Sequence, residues 1–269
     1  MSLTTLPPDL PEEAMSDLQA AYAALENPSL AARLASVAGM PVEALRARLP
    51  AGVQGSVDGA VRTALAVAMS AALRSAPTLV PLPVPSSWFH RGLAAASGAM
   101  GGAFGLPGTM MELPVSTTIL LRQIAAVAAE QGEDLDAPQA GAECMKVFAI
   151  GGTSPSDDAA ESGYFAVRLA LAEALKGAVG RTIVPGFVTA VASRFVGPVG
   201  LKLTAQAAPI LGAAAGAAVN LAFLEHFRSV ARGHFTLRRL ERTYGTAPIR
   251  RAWDGIAAGH DEPFLPRPR

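Results

Sequence analysis

Charge is scarce in this sequence: 16% of its 269 residues are Asp, Glu, Lys or Arg, against roughly 25% in an average soluble domain. Such a chain can bury a large core and still have apolar surface left over. Its charges cancel to a formal net of zero, which argues against a nucleic-acid binder acting through bulk charge. Aromatic residues are also few, at 6%, so the 51% apolar content is mostly small and aliphatic. With Cys144 alone there is no disulfide framework; a reducing compartment fits, and the thiol reads as a small buried hydrophobe. Catalytic signatures are absent as well: there is no G-x-S-x-G elbow, no H-E-x-x-H zinc motif and no P-loop. The histidines His90, His226, His234 and His260 lack metal-ligand spacing, and the Glu-x-x-His pair of a di-iron bundle does not occur. The opening MSLTTLPPDLPEEAM has neither a basic nor an apolar leader region, so no secretory signal is expected. Alternating β-branched runs of strand length are lacking too.

What is present is helical periodicity punctuated by Pro and Gly. After an arm at 1–10, helices are expected at 11–26, 28–38 and 41–49. Another is expected at 57–75, where Val61, Leu65, Met69 and Leu73 recur every fourth residue. Beyond the break APTLVPLPVPSS, Pro114 reads as the first turn of a helix running to about 131. Further helices are expected at 138–149 and at 154–176, the latter with Ser154 as N-cap. Two segments in 181–203, interrupted near Gly197-Pro198, precede helices at 208–232, 234–243 and 247–257. The expected fold is all-α: a single bundle-like domain over 11–257 with Gly/Ala-rich central helices, then a tail at 258–269.

Two uncharged runs, 92–111 and 203–224, approach the roughly 20 apolar residues that span a bilayer. Both are built mainly from Ala and Gly, whose transfer gain is small. Spanning, peripheral membrane contact and a soluble bundle core all stay open. Within the second run, Gly212, Gly216 and Asn220 fall at i, i+4 and i+8, a face on which another helix can approach closely.

The most polar stretch is GGTSPSDDAAESGYFAVRLAL, residues 151–171. Asp157, Glu161, Tyr164 and Arg168 form one helical stripe, with Asp158 a step to the side and nearer solvent. Buried charges need partners, and Arg122 is the expected partner of these acids. Glu112 and Arg122, both embedded in apolar helix, are each expected to meet charges from other helices. The stripe suits a structural ion-pair network, a divalent-cation or polar-headgroup site, or a partner contact. The acids are concentrated early, seven against three arginines in 1–60, while 226–269 carries nine arginines and four acids. Arg238, Arg239 and Arg242 are expected to face an anionic membrane. His226 and His234, with Arg228 and Arg232 nearby, read as part of a basic surface.

Three blocks in order resemble the EcsC protein family. They are GLAAASGAMGGAFGLPGTMMELPVSTTILLRQIAAVAAEQGEDLDAPQ, FAIGGTSPSDDAAESGYFAVR and VGPVGLKLTAQAAPILGAAAGAAVNLAFLEHFRSVARGHFTLRRLERTYG, within residues 55–257. The resemblance implies a bacterial protein associated with an ABC transporter and with secretion, and it brings no reaction, cofactor or catalytic residue. The leading expectation is a non-enzymatic, membrane-associated accessory or regulatory protein at the inner face of the cytoplasmic membrane. Its partners would be an anionic lipid surface and a transporter or envelope protein, with no cofactor and no nucleic acid. The alternative is a binding protein for a lipid or other hydrophobic ligand. The third is a metal-dependent hydrolase using Asp157, Asp158 and Glu161, for which neutral nitrogen ligands are missing.

Overall fold

The computed structural model describes residues 10–26, 30–39, 41, 59–68, 86–103, 105–137, 139–152, 164–175, 185–206 and 212–261. In chain order the helices are α1 (Glu12–Glu26), α2 (Leu30–Ala38), α3 (59–68), α4 (Ser86–Ala103) and α5 (Gly105–Glu130). There follow α6 (Ala140–Ile150), α7 (Tyr164–Ala174), α8 (Pro185–Gln206), α9 (Gly212–Tyr244) and α10 (Thr246–Asp261). No strand occurs among the described residues, and one hydrophobic core joins the helices into a single domain. The expected helix at 41–49 lies outside the described residues, apart from the non-helical residue 41.

Three expected interruptions are absent, and packing explains two of them. α9 runs unbroken through Gly233, where 208–232 and 234–243 were expected to be separate helices. A Cβ there would lie 2.8 Å from Leu25 Cγ and 3.1 Å from Ala21 O, so this glycine lets α1 approach closely. α8 is continuous through Pro198. Proline has no N–H to give to the carbonyl four residues back, Arg194 O. That carbonyl is the atom against which the Gly152 backbone is pressed. α5 passes through Pro114 rather than starting there. The true stop is Gly245, which ends α9 at a φ of 89° that glycine alone adopts cheaply. α10 then continues to Asp261, past the expected end at 257.

α9 is the axis of the bundle, touching α1, α2, α4, α5, α6, α8 and α10. α4 runs antiparallel along it, with Arg91 beside Glu225 and Gly98 against Gly216. α6 is buried on nearly every face, as a helix inside a bundle must be. Phe148, Phe195, Phe223 and Phe227, from α6, α8 and α9, form one aromatic cluster with centroids 4.8–6.0 Å apart. Aromatic residues are few, and these four are concentrated where three helices meet.

No helix among the described residues is long and apolar enough to cross a membrane. The run 203–224 is divided between the end of α8 and the start of α9.

Candidate functional site

A chain poor in charge has placed several of its ionisable groups inside. The first buried cluster lies where α4, α5, α8 and α9 meet. Lys202 is fully buried and donates to both Glu112 oxygens, at 3.3 and 3.1 Å, and to Ser116 Oγ at 3.0 Å. Ser97 Oγ donates to Glu112 Oε1 at 2.9 Å, and Asn220 Nδ2 reaches the same oxygen at 2.8 Å. Asn220 Nδ2 also lies within reach of Ala94 O and Ser97 Oγ. Burial opposes ionisation of Glu112, but Lys202, Asn220 and Ser97 together outweigh it and hold the carboxyl below its usual range. For Lys202 burial is the larger influence and lowers its pKa against the pull of Glu112.

A serine 3.0 Å from a buried lysine has the spacing of a nucleophile and its base. The surroundings oppose that role. Both Glu112 oxygens accept from Lys202 Nζ, which occupies the amine with an acid, and the Ser116 hydroxyl donates to Leu113 O. The cluster therefore joins four helices through paired charge.

Around this cluster the helices are in near-backbone contact. A Cβ on Gly98 would collide with Gly216 O and lie 2.7 Å from Asn220 Cβ. The Gly216–Asn220 face thus meets α4 directly, and Gly212 opens the same helix. This crossing is filled by backbone, with no room for a ligand.

The second cluster joins α6, α7, α9 and the turn that follows α5. Glu143, with an 11% exposed side chain, receives Lys146 Nζ at 2.8 Å and has Arg238 at 3.2 Å. His234 Nε2 lies 3.4 Å from Glu143 Oε2, a loosely aligned contact that is electrostatic more than a formed hydrogen bond. On the other side of the ring, His234 Nδ1 is 2.8 Å from the Tyr164 hydroxyl. Burial is the dominant influence on both, lowering the histidine and raising the phenol. Tyr164 O–H therefore donates to a neutral His234, leaving its Nε2–H toward Glu143. That carboxylate–imidazole–phenol order resembles a proton relay. Its hydroxyl end is buried, however, and the ring packs on Phe165 and Trp253.

Arg168 forms a bidentate pair with Glu241 at 2.8 and 2.7 Å. Glu133 takes Arg238 at 2.8 and 3.1 Å and also Arg242, whose other nitrogen reaches Gln131 O. Arg239 pairs with Asp17 at 2.6 Å.

Several expectations need correction. Arg122 is exposed and belongs to neither cluster; Lys202 partners Glu112, and Glu241 partners Arg168. The reason is rotation about α5: Met111, Val115 and Arg122 share a face turned away from Glu112, so burying the glutamate exposes the arginine. Arg238, Arg239 and Arg242 are paired with Glu133 and Asp17, while the side chains of Arg239 and Arg242 stay 41% and 42% exposed. His226 and His234 are buried, not superficial. His226 Nε2 donates to Gly151 O at 2.8 Å, and burial drives its pKa down to about 4. Cys144 is buried and its thiol is pushed up to about 12, chiefly by desolvation. Tyr164 and Arg168 lie in α7 as a polar pair facing α9. Asp157, Asp158 and Glu161 lie outside the described residues.

Glu143, Lys146, Lys202, Glu133 and Glu241 were not singled out from the sequence. A usable signal existed for two of them: lysines within apolar helices, each needing an internal acid. Among the described residues no group of three or more His, Cys, Asp or Glu could hold a metal ion.

Fold and clusters together define a charge-poor helical bundle held by buried ion pairs. A model of the EcsC protein family matches residues 12–240, so the chain belongs to that family. The match begins well before the blocks at 55–257 that suggested it. Neither a curated protein nor a solved structure matches the chain.

Proposed function

We propose that this EcsC family protein is a non-catalytic, membrane-peripheral helical protein, acting as an accessory or regulator beside a transport or envelope system. The observation that carries the reading is on α5. Met111 is 82% exposed and Val115 53% exposed, one turn apart, beside the uncharged run 92–111. A large flexible apolar side chain this open favours contact with lipid or with a partner. The described polar clusters support a structural use of the buried charge, because Glu112, Glu143 and Arg168 are each paired with an opposite charge of the same chain. The lone buried thiol suits the reducing side of the membrane.

Vesicle flotation tests the proposal. Wild-type protein should float with vesicles, and Met111→Asp with Val115→Asp should lower the vesicle partition constant by about a hundredfold or more, since each side chain contributes roughly 1.5–3 kcal/mol when buried. Both positions are exposed, so the melting temperature should hold. Wild-type protein that floats with no vesicle composition would overturn the reading, as would a double variant that floats equally well.

A further inference from the structure

One group of arginines has more donors than acceptors. Glu225 on α9 gives Oε1 to Arg91 Nε at 2.7 Å, while Arg228 NH1 stays 3.9 Å from Oε2, beyond hydrogen-bond reach. Arg232 is exposed and also acts on this carboxylate through its charge. Two guanidinium groups thus lie within 4 Å of one acid, and a third stands two turns along the same helix face. Arg228 is the informative one. Its side chain is only 15% exposed, and its Nε is buried without a hydrogen-bond partner. Buried donors are normally satisfied, and a guanidinium fork held partly out of water suits an oxyanion.

We propose that Arg91, Arg228 and Arg232, arranged about Glu225, form a binding site for a phosphate group. Glu225, Arg228 and Arg232 fall at i, i+3 and i+7 on one face of α9, with Arg91 approaching from α4. The tetrahedral oxygens of a phosphate would bridge these forks, as a planar carboxylate already held by Arg91 does not. The same face continues toward the start of α9 as half-buried Leu221 and Ala218 and exposed Ala214. Cations therefore adjoin an apolar strip along a single helix, an arrangement that matches a phosphate carrying acyl chains. The lipid form of the proposal rests on the membrane reading above; the phosphate site does not.

The test combines titration calorimetry against inorganic phosphate and glycerol phosphate with flotation on phosphatidylcholine vesicles, with and without phosphatidic acid. Arg232→Glu is the primary variant because Arg232 is exposed and its replacement leaves the fold intact; Arg228→Gln is the second. Arg251→Glu, an exposed position on α10, makes the same change of net charge elsewhere. Binding should weaken about tenfold in both site variants and change little in Arg251→Glu. Phosphate binding that depends on Arg232, without vesicle binding, would keep the site and overturn the membrane reading. Vesicle binding unaffected by Arg228 and Arg232 would overturn the site and leave the membrane reading standing. An equal loss in Arg251→Glu would overturn the site in favour of diffuse attraction, and wild-type protein that binds neither phosphate nor vesicles would overturn both.

Discussion

Replacing Lys202 with methionine removes the fully buried cation while keeping an unbranched side chain of similar length. What remains is the Glu112 carboxylate, whose side chain is 5% exposed, held only by Ser97 and Asn220. Breaking a buried pair from one side costs about 3–5 kcal/mol, because the surviving charge is uncompensated. Adding Glu112→Gln should recover a large part of that loss, since the amide needs no counter-charge. The pH dependence supplies an independent check. In the wild type the Glu112 pKa is depressed, so its contribution is present above the unfolded value of about 4.3 and is lost as pH falls through the folded value. Without Lys202, burial acts nearly alone and raises that pKa. The single variant's deficit should then shrink as pH falls from about 8 to about 5. Urea denaturation followed by far-UV circular dichroism at both pH values measures this. A Lys202→Met protein within about 0.5 kcal/mol of wild type would refute the burial of this pair, and a deficit that grows toward acid would refute the electrostatic account.

Two further outcomes are expected. Gly98→Ala should lose about 1–3 kcal/mol, because its methyl meets Gly216 O and Asn220 Cβ, whereas Gly92→Ala, with open space around it, should be neutral or slightly stabilising; equal melting temperatures would contradict the crossing. His226 is buried with its pKa lowered to about 4, so the unfolded chain takes up its proton first and folding weakens as pH falls from about 6.5 toward 4, by about 3 kcal/mol in all. His226→Gln, which can still donate to Gly151 O, should flatten that part of the stability profile; an unchanged slope would locate the titrating group elsewhere.

How far the sequence could be read depended on which interactions are local. The all-helical fold was legible because apolar periodicity is a property of short windows. Glu112 was legible as a charge needing a partner, since nothing else within its apolar surroundings is acidic. Its partner was not, because Lys202 lies 90 residues away and is brought near only by packing. Arg122 was expected to meet Asp157 and Glu161, which lie outside the described residues, and it is exposed for a geometric reason: the sequence shows that Glu112 and Arg122 point in different directions, but not which direction is inward. The apparent breaks at Gly233 and Pro198 failed for a related reason. Local propensity disfavours both residues in a helix, while their use, close approach by Ala21 O and by Gly152, exists only in the assembled bundle.

The same logic separates structural charge from charge available for recognition. Arg168, Arg238 and Arg239 each have a carboxylate within hydrogen-bond reach, at separations of 73, 105 and 222 residues. Those long-range pairs fix the register of α9 against α1, α7 and the turn that follows α5. Arg228 and Arg232 lie on the same helix, closer to its apolar half, and have only the distant attention of an acid already held by Arg91. In a chain with so few charges, arginines that share one acid beside an apolar strip stand out from the arginines that each hold a carboxylate within hydrogen-bond reach. Sequence clustering pointed to Arg238, Arg239 and Arg242; the phosphate site proposed above lies about three turns nearer the start of α9.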